Sequence, residues 1–91
     1  MSKNVVIEVA LNNRYGLHAR PAALFVQMCN RFSSAVTVYY NSMKVSGKNI
    51  LDIMTLGAEP GSTLKIEFAG PDAEEAAAGI KELVERNFGE S

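Results

Sequence analysis

Hydrophobic positions first alternate along this chain and then fall into helical spacing, and the alternation between the two patterns divides it into elements. Val5, Ile7, Val9 and Leu11 alternate with Val6, Glu8 and Ala10, a period of two that predicts a strand with one buried face. Asn12-Asn13-Arg14-Tyr15-Gly16 breaks the alternation and reads as a loop. From residue 19 to about residue 30 the spacing becomes helical, with Ala22, Phe25, Val26 and Cys29 on one face. Pro21 lies in the first turn, where a missing N–H costs nothing.

Residues 35–40 are β-branched and aromatic and predict a second strand. Asn41-Ser42 is turn chemistry, so residues 43–45 are expected to return as a short hairpin partner. Asn49 is a strong N-cap for a helix beginning at Ile50, and Asp52 favours that start by capping and by the helix dipole. Gly57 and then Pro60-Gly61 keep this helix short. Leu64, Ile66 and Phe68 alternate with Lys65 and Glu67 to form a last strand. Gly70-Pro71-Asp72 turns into a long helix with Ala73, Ala76, Ala77, Ile80, Leu83, Val84 and Phe88 on its apolar face. Asp72, Glu74 and Glu75 at its start and Arg86 near its end suit the macrodipole.

The predicted order is β-α-β-β-α-β-α, an α+β domain in which helices cover one face of a mainly antiparallel sheet, an open-faced sandwich. Periodicity does not say which strands are neighbours. The 91 residues suffice for one domain, residues 1–91, and not for a second core. A hydrophobic fraction of 47% and a charged fraction of 21% are ordinary for a soluble protein. The net charge of −1 comes with no basic stripe, which argues against a nucleic-acid partner. A single cysteine, Cys29, excludes an intrachain disulfide and fits a reducing compartment. Met1-Ser2-Lys3-Asn4 leads into a short stretch containing Glu8, not into a signal-peptide core, and no run spans a bilayer. A cytoplasmic protein without membrane insertion is expected.

The only histidine, His18, stands at a loop-to-helix junction. Its bland reading is a cap or a surface residue. The first turn of a helix, however, offers free N–H groups and partial positive charge, an anion site in itself. Arg20 adds a planar cation suited to phosphate, Gly16 frees the preceding loop, and Pro21 sets the helix entry. Imidazole is a nucleophile near neutral pH without a metal. Together these suit a histidine that accepts a phosphoryl group and passes it on.

Gly16-Leu17-His18-Ala19-Arg20-Pro21-Ala22 resembles the signature of the HPr family, the histidine phosphocarriers of the bacterial phosphoenolpyruvate-dependent phosphotransferase system. The resemblance extends over the whole chain, including Phe25-Val26 and Thr55-Leu56-Gly57, and the element order is the family's. It implies the HPr-like open-faced β-sandwich: a four-stranded antiparallel sheet with three helices packed on one face. It implies that His18 is phosphorylated on Nδ1 by enzyme I, or by its nitrogen-branch paralogue, and passes the group to an EIIA domain. Arg20 would stabilise the phosphoryl group. The chain would be a carrier and not an enzyme, without a cofactor beyond the phosphoryl group that comes from phosphoenolpyruvate, and a monomer is expected. Leu17, Ala19, Ala23, Ile50, Leu51 and Met54 would form the apolar surface that both partners dock on, Ile53 pointing inward. Asp52 stands in that surface where some relatives carry lysine.

Many relatives carry a regulatory serine at the start of the second helix. Here that place is Asn49, which caps but has no hydroxyl to phosphorylate. Ser46 belongs to the preceding turn. Asn49 and the run Asn13-Arg14-Tyr15-Gly16 resemble nitrogen-regulatory relatives, which inclines the reading toward a regulatory phosphorelay over sugar uptake.

Three alternatives stand beside the carrier. The first is a non-catalytic regulatory binding module of the same fold, acting through protein–protein contacts. The second is an RNA or metal binder, opposed by Tyr39 and Tyr40 lacking basic neighbours and by the absence of metal-ligand spacing. The third is hydrolysis by a histidine nucleophile, for which Glu8 and Asp52 are poor candidate acids.

Overall fold

The computed structural model describes residues 3–89. Strand β1 (Lys3–Ala10) leads to helix α1 (Ala19–Cys29), then β2 (Ala35–Tyr40), β3 (Met43–Ser46), helix α2 (Ile50–Thr55), β4 (Thr63–Gly70) and helix α3 (Ala73–Glu85), followed by a short 3₁₀ turn (Asn87–Gly89). The predicted order holds, and the boundaries hold to within one or two residues except at the end of α3.

The four strands form one sheet in the order β1-β4-β2-β3, with every pairing antiparallel. The last strand therefore enters between the first two. Its register explains the alternation of the sequence. Ile7, Ile66, Val38 and Val45 stand in one row across all four strands, and Val5, Phe68 and Val36 in the next. Both rows face the helices. Phe68, Ile66, Leu64 and Val38 are fully buried, each contributing about 1.5–3 kcal/mol of burial. The opposite face is polar. There Tyr39 Oη donates to Glu67 at 3.0 Å and Lys65 Nζ lies 5.4 Å from the Tyr39 ring centre.

Helix α1 buries Pro21, Ala22, Phe25 and Cys29, and α3 buries Ala73, Ala76, Ala77, Ile80, Leu83 and Val84. Burial pushes the Cys29 thiol up to about 12, so it packs as a small apolar group and offers no thiolate. The hairpin turn has Asn41 at φ 48° and Ser42 at φ 67°, the paired left-handed conformations of a two-residue β-hairpin loop.

Two expectations are corrected, for Phe88 and Asp52, and Asp72 has a role that the sequence pattern does not show. Phe88 does not lie on the apolar face of α3, because that helix ends at Glu85 and Arg86 is its cap. Asn87 and Phe88 then take positive φ, 54° and 57°, and this reversal carries the Phe88 ring into the core. Asp52 does not cap α2. Asn49 Oδ1 accepts from Asp52 N–H at 3.2 Å, as predicted, but the Asp52 carboxylate turns to Ser46 N–H at 3.4 Å. Asp72 is the N-cap residue of α3 and makes no side-chain cap bond. Its carboxylate accepts instead from Ser33 N–H and Ser34 N–H, both at 2.9 Å, and from the Ser34 hydroxyl. The turn between α1 and β2 thus has its amides satisfied from 38 residues away.

The Ser34 hydroxyl, the Ser33 amide and the Ser34 amide hold the Asp72 carboxyl at about 2, well below its ordinary 3.8. The unfolded chain takes up this proton first, so stability present above about pH 4 is lost as pH falls toward about 2. Thermal unfolding followed across that window is expected to show a steep fall in midpoint for the wild type. Asp72→Asn should be less stable at neutral pH and flatter between pH 4 and 2; equal slopes would count against the interaction.

Candidate functional site

The loop between β1 and α1 is held by a second loop, residues 57–62. Leu11 N–H donates to Ser62 O at 2.8 Å, Gly61 N–H to Leu11 O at 2.7 Å, and Leu17 N–H to Ala58 O at 3.0 Å. Asn13 is buried, and its Nδ2 donates to Gly16 O at 2.7 Å, closing the loop on itself. Gly16 has φ +68° and packs its Cα face on the Ala58 carbonyl and on Glu59, whose backbone would lie 2.9 Å from any added Cβ. Only glycine suits both the conformation and the space.

This strapped loop delivers His18 to the N-cap of α1. The His18 backbone is extended (φ −77°, ψ −173°), and its carbonyl accepts from Ala22 N–H at 2.9 Å. Its side chain makes no cap hydrogen bond to the first turn of α1. No acidic residue stands in the first turn of α1. Pro21 has no N–H, and Ala19 and Arg20 are first-turn residues whose amides have no acceptor within the helix. The positive end of α1 therefore has no acidic side chain of its own first turn beside the half-buried His18. Arg20 is exposed at the same end.

The predicted docking residues separate into two groups. Ile50, Leu51 and Met54 are exposed on α2, Leu51 at 71%, while Ile53 is fully buried below them. Ala19 is exposed and Ala23 half-buried on α1. Helix α1 packs beside α2, and the Leu17–Ala58 bond brings the chain leaving α2 against the His18 loop. Leu17 itself is corrected: at 5% exposure it belongs to the core and supports the loop from beneath. An apolar side chain directly after a loop-locking glycine is driven inward with it. Asp52 is likewise turned away from this surface, toward Ser46, in a groove of about 520 Å³ lined also by Lys44, Val45 and Lys48. His18 does not line that groove.

In the sequence Arg14 and Tyr15 read as loop residues within the run that resembles nitrogen-regulatory relatives, with no contact to His18 implied. In the structure the Tyr15 ring meets the His18 ring edge to face, with centroids 5.6 Å apart and planes at 89°. The Arg14 guanidinium lies 5.5 Å from the Tyr15 ring centre. An aromatic residue three positions before the histidine was the available signal. Among the described residues, no group of three or more His, Cys, Asp or Glu could hold a metal ion, and no helix is long and apolar enough to cross a membrane.

Comparison with known proteins places this geometry. The family model described as "PTS HPr component phosphorylation site" matches residues 5–86. The chain is 40% identical over 86 residues to the phosphocarrier protein HPr of Treponema pallidum, covering 94% of this chain and 98% of that one. It is 37% identical to the HPr of Cupriavidus necator, over 91% of this chain and 93% of the relative. The crystal structure of HPr-C-His from Thermoanaerobacter tengcongensis superposes with a TM-score of 0.88 at 46% identity, covering 98% of each chain.

The loop lock makes Gly16→Ala a severe change. Left-handed strain and the clash with residues 58 and 59 are expected to cost about 2–4 kcal/mol, read as a lowered thermal midpoint. A midpoint within a degree or two of wild type would show that the two loops are not locked this way.

Proposed function

The chain belongs to the HPr family of phosphocarrier proteins of the phosphotransferase system, and from that premise we propose that His18 is its phosphoryl acceptor, charged by enzyme I and discharged to an EIIA domain. The observation that carries this reading is the half-buried imidazole set at the α1 N-cap, next to Arg20 and a first turn that contains no acidic residue. A neutral His18 attacks through the lone pair of Nδ1. The new P–N bond forms as the P–N bond on the donor histidine breaks, its electron pair returning to the donor imidazole. Both nitrogens belong to like groups, so the exchange is nearly balanced and reversible. The incoming phosphoryl anion would meet the first-turn amides of α1 and the Arg20 guanidinium. The partner supplies activation and alignment, and the carrier supplies a nucleophile on an accessible surface.

Docking falls to Ala19, Ala23, Ile50, Leu51 and Met54, with Leu17 as their support. Three apolar side chains left exposed on a six-residue helix are better explained by a protein partner than by the core of this domain. Asn49 and the Asn13-to-Gly16 loop incline the reading toward a regulatory phosphorelay. Parallel transfer assays with sugar-branch and nitrogen-branch enzyme I would separate the two.

Incubation with enzyme I and radiolabelled phosphoenolpyruvate is expected to give an acid-labile, base-stable phosphate on the wild type and none on His18→Ala. Arg20→Ala should retain labelling at a rate lower by roughly ten- to a hundredfold. Undiminished labelling of His18→Ala would sink the assignment.

The second helix carries its own expectation. Asn49 Oδ1 accepts from Asp52 N–H, and the nearest hydroxyl upstream, Ser46 Oγ, accepts from Lys48 N–H at 3.1 Å. A serine kinase that modifies other family members should leave this chain unmodified at residues 46–52 by intact-mass and fragment analysis. Stoichiometric phosphate on Ser46 would contradict this.

A further inference from the structure

Resting on His18 as the acceptor, we propose that Tyr15 is a positioning residue that selects the reactive orientation of the His18 ring, with Arg14 holding Tyr15 in place. Imidazole rotation about Cβ–Cγ is broad and roughly two-fold, so a half-buried histidine presents either a nitrogen or a carbon to a given side. An acceptor that spends part of its time turned the wrong way reacts more slowly by that fraction. The Tyr15–His18 pair has the separation and the near-perpendicular planes of a favourable edge-to-face contact. It restricts the rotation of the imidazole by ring-to-ring contact.

Tyr15 is itself held. The Arg14 guanidinium lies over its ring, 5.5 Å from the centroid, and the loop is fixed by the Asn13 Nδ2 to Gly16 O bond and by the left-handed Gly16. At 63% exposure, Tyr15 contributes little to the core, so burial does not explain an aromatic residue here. The series runs cation, ring, ring, and ends at the imidazole. Arg14 also brings a second guanidinium to the loop that must carry a phosphoryl charge.

The competing account is that Tyr15 only touches the incoming partner. The full-length chain and its variants would be assayed as substrates of enzyme I over a range of carrier concentration, with the His18 ring resonances followed by NMR. Tyr15→Leu is expected to lower kcat about fivefold with KM within about twofold, and to shift the His18 ring resonances. Tyr15→Phe, which keeps the ring, should restore both readouts. A rise in KM with kcat unchanged would overturn positioning in favour of docking. A Tyr15→Phe variant as slow as Tyr15→Leu would overturn it too, since the hydroxyl would then be the active group. Unmoved His18 resonances in Tyr15→Leu would equally count against it. Labelling of His18→Ala is a separate outcome that overturns the acceptor assignment and the positioning role with it.

Discussion

The contact between Gly16 and the Ala58 carbonyl is the constraint on which the site depends. A loop leaving a strand has many ways to enter a helix. Here the absent Cβ of Gly16 lets two backbones touch, and the Leu17 amide then finds the Ala58 carbonyl. With the Leu11 bonds to Gly61 and Ser62, the two loops become one surface. Leu17 is pinned into the core, and the next residue, His18, is directed outward at the first turn of α1. The placement of His18 thus depends on backbone-to-backbone packing of two loops rather than on a deep pocket.

Helix α1 forgoes the side-chain cap that most helices use, a device usually worth about 1 kcal/mol. Asn49 shows that the chain does use such a cap where no chemistry is needed. The two helix starts therefore differ: α2 begins on a side-chain cap bond and α1 begins without one. The cost is spread over Phe25, Ala22 and Pro21, whose burial anchors α1 from its other face.

Elements whose residues interact within a few positions were legible in the sequence. The alternation of Val5, Ile7 and Val9 and that of Leu64, Ile66 and Phe68 predict faces that the register then joins into rows. Asn49 reads as a cap because its partner is three residues away. His18, Arg20 and the exposed Ile50, Leu51 and Met54 were legible partly by spacing and partly by resemblance. What was not legible depends on distant partners or on backbone reversals. Asp72 reads only as a charge at the start of α3, and its bonds to Ser33 and Ser34 come from far along the chain. Phe88 fits the helical period of α3, but the helix ends before it. Leu17 looks like surface beside a reactive histidine, and only the Gly16–Ala58 contact shows why it is buried. The Tyr15–His18 contact requires ring orientations that no spacing encodes.

The sheet order has a consequence for how the molecule comes into being. Because β4 lies between β1 and β2, the first two strands have no partner in each other. A ribosome that has released only the first half of the chain has released His18, Arg20 and the whole of α1, yet the loop that aims the histidine has nothing to lean on. Residues 58–62 and β4 must follow before the sheet closes, so the pairing is non-local and its loop-closure entropy is met late. His18 is among the earliest parts made, and its surroundings are among the last parts assembled.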